Sequence, residues 1–206
     1  MEELLYRSVL AENAARIETM KRKAFSIHEK GGQVYGPGLP YGFHLQQVAD
    51  IVSRYGYLVC IAEQDVLPVI FGAYFHDSLE DTCHSYNDIR RFALYDVGMT
   101  ESQSVMAAEI VYALTDEKGR NRKERQNERY YQCLCRTPYA PFVKMADRLA
   151  NISFSFTGSE DSTNLRMREI YRKEWPEFIS KLRFETDDST LTIPSEMIEM
   201  VEKFFC

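Results

Sequence analysis

The sequence predicts an all-α fold, a single helical bundle, and three observations carry that reading. Apolar positions recur with a period near 3.6 along most of the chain. Alternation of apolar and polar residues, the mark of a half-buried strand, is confined to a hint at Thr190–Ile193. The chain has 206 residues, 45% hydrophobic and 27% charged, long enough for one sizeable core and too apolar for extensive disorder. Residues 1–185 are expected to form the domain, and residues 186–206 a C-terminal tail whose short helix packs on it.

The elements follow in order. Leu4, Leu5, Val9, Ala14, Ile17, Met20, Ala24 and Ile27 lay one apolar stripe along a long first helix. Four glycines and two prolines crowd into residues 31–40, which predicts a loop. His44–Tyr55 is helical and ends near Gly56; Val66–Thr82 is a mostly apolar helix; a shorter one opens at Asn87. Thr100 with Gln103 three residues on forms a capping box for a helix to Thr115. Lys118–Leu134 is a strongly charged helix, and Pro138–Phe154 follows with Pro141 in its first turn. Leu165–Arg183 is expected to break at Pro176, and Pro194–Phe205 closes the chain as an amphipathic helix.

Charge and composition exclude some functions. Lys+Arg number 25 against 31 Asp+Glu, a formal net charge of −6, so no broad basic face exists for coating nucleic acid. No apolar run approaches the ~18–20 residues that span a bilayer. The first 23 residues have neither the basic nor the apolar region of a secretory signal. The five cysteines are odd in number and irregularly spaced, with Cys133 and Cys135 one residue apart rather than in a C-x-x-C pair. The expectation is a cytoplasmic protein with reduced thiols, no nucleic-acid or membrane partner, and homo-oligomer formation left open. The cations of 118–125 are interleaved with Glu117, Glu124 and Glu128 and suit a solvated helix face, with one or two free to meet a substrate.

Chemistry concentrates at Phe75-His76-Asp77-Ser78-Leu79-Glu80-Asp81-Thr82. On a continuous helix His76 lies above Glu80 and Asp77 above Asp81, so one helix end carries an imidazole and three carboxylates. The macrodipole opposes acidic groups at a helix C-terminus; a divalent cation is the simplest offset, a solvated acidic end the alternative. Asp147 stands inside a core-like helix with Asn151 one turn on, and His44 opens a helix beside the glycine-rich loop. Two imidazoles and two carboxylates suit Mn, Fe, Co, Ni or Zn.

The order His44, His76-Asp77, Asp147 resembles the H…HD…D signature of HD-domain metal-dependent phosphohydrolases. HDSLEDT resembles the HDxxEDT block of the RelA/SpoT-type hydrolases, which remove the 3′-pyrophosphate of ppGpp and pppGpp. ALTD at 113–116, VKMADRLANI, and Gly32-Gln33, Gly38, Pro40-Tyr41 and His44 resemble further blocks, over about residues 20–175. The resemblance implies that His44, His76, Asp77 and Asp147 hold one metal per chain, Mn²⁺ in that family. It implies that Glu80 and Asp81 activate the attacking water, and that Arg122, Asn151 and Tyr171 line the nucleotide pocket. His28 falls near a family histidine, with a structural hydrogen bond as its expected role.

One stretch departs from the pattern. Where the family carries basic residues after Gly-Gln, this chain has Val34-Tyr35-Gly36-Pro37, and Tyr35 is expected to stack on the base instead. The resemblance thus implies a small SpoT-like pyrophosphohydrolase acting on ppGpp or pppGpp through a metal-activated water. The missing basic loop leaves open an HD phosphohydrolase for another nucleotide, a (deoxy)nucleotide or NADPH, and a catalytically silent nucleotide-binding module is the third reading.

Overall fold

The computed structural model describes residues 1–36, 38–183 and 186–206, with Lys123 described by its backbone alone. Helices α1 (Glu3–Glu12) and α2 (Ala14–Lys30) replace the single first helix expected from the apolar stripe. The break is Asn13, whose amide donates to the Val9 carbonyl at 2.8 Å and so competes with the backbone for it. Arg16 then anchors the start of α2 to the carbonyls of Val97 and Gly98 at 3.0 and 2.7 Å.

The glycine-rich segment is more ordered than a loop. Strands β1 (Val34–Tyr35) and β2 (Leu39–Pro40) form a minimal antiparallel hairpin, with Tyr35 opposite Leu39. Helix α3 (Gly42–Tyr55) follows and buries His44, Leu45, Val48, Ala49 and Val52. Helix α4 (Glu63–Phe75) is buried from Asp65 through Phe75 and forms the centre of the bundle. Pro68 inside it cannot donate to the Gln64 carbonyl, and the side chain of Gln103 takes that acceptor at 2.8 Å.

The apolar helix expected over 66–82 does not run through. It stops at His76, Asp77 adopts a non-helical backbone (φ −96°, ψ 0°), and a four-residue helix α5 (Ser78–Asp81) restarts. The stacking of His76 on Glu80 within one helix is therefore corrected: the acidic pair opens a new turn rather than burdening the end of α4. Ser85, not Asn87, caps α6 (Tyr86–Arg91), by accepting from the Asp88 N–H. Helix α7 (Glu101–Leu114) starts at the expected capping box, and Gly72 lets it approach α4, since a Cβ there would lie 2.6 Å from Ile110.

The charged helix expected over 118–134 is two short ones, α8 (Arg122–Arg125) and α9 (Glu128–Leu134). Asn121 and Asn127 each cap by accepting a backbone N–H, which suits an asparagine better than a helix interior. Helix α10 (Ala140–Thr157) carries Pro141 in its first turn and is entered from Tyr139 at φ 67°. The Tyr139 hydroxyl donates to Asp65 at 2.7 Å, tying the start of α10 to the start of α4.

Helix α11 (Ser162–Leu182) passes through Pro176 without the expected break. Pro176 is exposed, so water can satisfy the carbonyl it leaves unbonded. Residues 189–191 form a 3₁₀ turn where a strand was hinted. Helix α12 (Ser195–Phe205) buries Met197, Ile198 and Val201, and Phe204 and Phe205 meet Phe156 of α10. The boundary drawn at 185 falls on Phe184 and Glu185, outside the described residues, as does Pro37 of the departing loop. In sum α4 packs on α2, α3 and α7, and α10 packs on α3, α4, α11 and α12, so α3, α4 and α10 contact one another.

Candidate metal centre and active site

His44 comes from the first turn of α3, His76 and Asp77 from the break after α4, and Asp147 from the middle of α10. The fold brings their tips together. His44 Nε2 lies 3.2 Å from His76 Nε2, 3.3 Å from Asp147 Oδ1 and 3.8 Å from Asp77 Oδ2. His76 Nε2 is 2.9 Å from Asp77 Oδ2 and 3.8 Å from Asp147 Oδ1. His44, His76 and Asp77 form a group able to hold a metal ion by distance, and Asp147 adjoins it through both imidazoles.

The donor set fits a divalent transition metal on two counts. His76 Nδ1 hydrogen-bonds the Ala73 carbonyl at 2.9 Å, so the ring points Nε2 at the cluster, as metal-bound histidines are commonly oriented. The cluster is also electrostatically poised for a cation. Burial alone would discharge His76, but Asp77 and Asp147 outweigh it and push its pKa up to about 9. Burial likewise opposes charge on Asp77, and His76 nevertheless holds that carboxyl far below its usual range. Lys144, 3.1 Å from Asp147, does the same for Asp147 against burial. Ionised carboxylates and one imidazole proton occupy the space together, and a cation can replace that proton.

Glu80 lies at the mouth of the same cavity, open to solvent on one side. Crowding by protein, then the charges of Asp116 and Asp77, raise its pKa to about 7, although Lys144 and the Asp116 N–H pull the other way. Asp81 does not line the cavity; it lies against Tyr41, and burial followed by the Asp77 charge shifts its pKa upward. Tyr41 donates its hydroxyl to Asp77 Oδ2.

The cavity measures about 280 Å³; of the residues expected from the sequence it is walled by Tyr35, His44, Asp77, Glu80, Arg122, Asp147 and Asn151, and Tyr41, Asp116, Arg125, Gln126 and Lys144 join them. Arg122 lines it and pairs with Glu174 at 3.2 Å; Asn151 lines it and donates to Asp147 Oδ1 at 2.6 Å. Tyr35 lines it too, but with its ring stacked on His44 at 4.8 Å. Tyr171 does not reach the cavity: it is buried behind the wall, with the Arg148 guanidinium 5.2 Å over its ring. His28 has no hydrogen-bond partner at either ring nitrogen among the described residues, contrary to expectation; it stacks on Tyr41 at 4.8 Å, and burial lowers its pKa to about 4.

Lys144, Tyr41 and Asp116 fall inside the blocks that carry the resemblance, but sequence reasoning gives them no role at the site. Lys144 had a signal, a lysine inside the apolar run Ala140–Ala146 and three residues before Asp147; it is 7% exposed, and despite burial the surrounding oxygens raise its pKa. Asp116 accepts from Gln126 at 3.0 Å and pairs with Arg125 at 3.5 Å, contacts that no spacing foretells.

By sequence, the chain matches no protein-family model and no curated protein. In fold it is similar to a solved structure described as a metazoan ortholog of SpoT that hydrolyzes ppGpp and plays a role in starvation responses. That likeness has a TM-score of 0.64 and 20% identity, over 92% of this chain and 95% of the other. No helix among the described residues is long and apolar enough to cross a membrane.

Proposed function

We propose that this protein is a divalent-metal-dependent phosphohydrolase that removes pyrophosphate from the 3′ position of ppGpp or pppGpp. The observation that carries the reading is the convergence of His44, His76, Asp77 and Asp147, from three separate segments, beside a carboxyl titrating near neutrality. The fold shared with a ppGpp hydrolase and the motif resemblance support the substrate. Mn²⁺, one per chain, is the metal we propose, held by those four residues. When bound, such an ion supplies Lewis acidity, lowering the pKa of water and offsetting phosphate charge.

The chain's own residues do the rest. Glu80 is the general base: with a pKa of about 7 it is half ionised at neutral pH and retains proton affinity, the compromise that favours proton abstraction. Lys144 is a buried, permanently charged wall group that keeps Asp147 ionised. Arg122 and Arg125, at the rim, face incoming phosphate oxygens, where charge-assisted hydrogen bonds are stronger than neutral ones. Asp116 orders Arg125 and Gln126 at that rim. Asp81 lies outside the cavity, beside the Tyr41 hydroxyl that donates to Asp77. Asn151 shares its amide with Asp147, and Tyr171 stiffens the wall under Arg148. The five unpaired thiols suit the reducing cytoplasm we propose as its setting.

The test is product analysis. Metal-loaded protein is incubated with ppGpp, pppGpp, GTP, dGTP and NADPH, and the products are separated by chromatography. Pyrophosphate with GDP or GTP, from the first two alone, is the expected result; turnover confined to the other nucleotides would overturn the substrate.

A further inference from the structure

His44 and His76 are oriented by different means. His76 is fixed by the hydrogen bond from its Nδ1 to Ala73, whereas His44 Nδ1 is buried with no partner among the described residues. A histidine that holds a metal needs its ring fixed, and a hydrogen bond from the second nitrogen is the usual device. What His44 has instead is a ring stacked on its face: Tyr35, at 4.8 Å between centroids and 20° between planes.

Tyr35 is itself held firmly. Its ring also packs on Phe154, at 4.7 Å, and its hydroxyl donates to Asn151 Oδ1 at 2.9 Å. The direction of that bond is forced. Asp147 as a carboxylate can only accept, so Asn151 must turn Nδ2 toward it, at 2.6 Å, and present Oδ1 to the tyrosine, which must donate. Gly36 seats the hairpin: it sits at φ 58°, and a Cβ there would lie 2.9 Å from the Phe154 ring.

We propose that Tyr35 is a positioning residue of the metal centre, its ring orienting the His44 imidazole and its hydroxyl orienting Asp147 through Asn151. The inference rests on the phosphohydrolase reading and deepens it. Tyr35 stands where the family resemblance puts a base-contacting cation, and one face of its ring is stacked on His44. The proposal assigns base recognition to residues other than Tyr35.

The experiment compares wild type, Tyr35→Ala and Tyr35→Phe, using Co²⁺ absorption spectra, Mn²⁺ affinity by chelator competition, and kcat and KM for ppGpp. Tyr35→Ala is expected to weaken Mn²⁺ binding about 10–100-fold, the range for lost ligand-orienting contacts. It should also alter the Co²⁺ spectrum and lower kcat, with KM within about threefold of wild type, because the lost contact is to the centre and not to the substrate. Tyr35→Phe, which keeps the ring and loses the hydroxyl, is expected to fall between the two. Wild-type metal affinity in Tyr35→Ala, with KM raised and kcat intact, would overturn the proposal and make Tyr35 a substrate contact. If Tyr35→Ala does not fold, Tyr35→Phe decides: severalfold weaker Mn²⁺ binding supports the relay, and unchanged binding overturns it. Failure of the wild type itself to bind metal would instead sink the functional reading.

Discussion

At and beneath the floor of the cavity, His44 and His76 are each 2% exposed and hang from the long helices that form the core. On its rim, Arg122 and Arg125 ride a four-residue helix and hold position by surface pairs to Glu174 and Asp116. Both walls face the same space, yet they are built differently. The floor is fixed by packing that the whole bundle must unfold to disturb, so its geometry is ready before a ligand arrives. The rim rests on two ion pairs whose arginines are half-exposed, although the Asp116 carboxylate is largely buried, and it can adapt to a substrate at smaller cost than the packed helices. On the proposed function the metal belongs to the floor and recognition to the rim, with Glu80 at the mouth between them.

That division can be broken or sharpened by substitution, and the largest effect short of losing the metal belongs to Glu80. Glu80→Gln keeps the side chain's shape but removes the base, so turnover should fall ~10²–10⁴-fold while metal stays bound. The sign of the pH dependence follows from the raised pKa: only the ionised form accepts a proton, so kcat should rise with pH, reach half its maximum near 7 and level off about one unit above. A bound cation favours the carboxylate and moves that limb downward, and in Glu80→Gln the limb should vanish. A variant as fast as wild type would remove Glu80 from the mechanism.

The floor also predicts its own pH response. His76 keeps a proton up to about pH 9 in the metal-free centre, and an ion must displace it. Mn²⁺ affinity should therefore rise by about tenfold per pH unit between 6 and 8, with proton release on binding seen by calorimetry in two buffers. An affinity independent of pH would mean that His76 is not displaced.

Smaller effects belong to the rim and to the hairpin. Arg122→Ala should raise KM for ppGpp about tenfold, near the value of one charge-assisted hydrogen bond, and leave kcat almost unchanged. A collapse of kcat instead would place Arg122 with the floor. Gly36→Ala forces a side chain into a left-handed backbone against Phe154 and should cost about 1–3 kcal/mol in denaturant unfolding. Unaltered stability would show that the hairpin is not seated as described.

The floor was also the legible part of the molecule. His44, His76-Asp77 and Asp147 stand out as a set by their resemblance to the H…HD…D pattern; position alone shows polar groups at helix ends and inside an apolar run. The break between α4 and α5 was not legible, because the apolar run continues to Phe75 and helix-compatible residues follow it. Residues 118–134 read as one helix because their charges fit a solvated face; the asparagine caps that divide them act through side-chain geometry, which periodicity does not register. Tyr35 lines the cavity, but its stacking on His44 was not foreseeable, since nothing local links residue 35 to His44 and Asn151.

The central claim, that two buried histidines and two half-buried aspartates hold one catalytic metal, is tested most directly by metal stoichiometry after dialysis against Mn²⁺. Wild type and Glu80→Gln should each retain about one ion per chain, while Asp77→Ala and Asp147→Ala should retain almost none and hydrolyse nothing. Full occupancy in both aspartate variants, or none in the wild type, would contradict it.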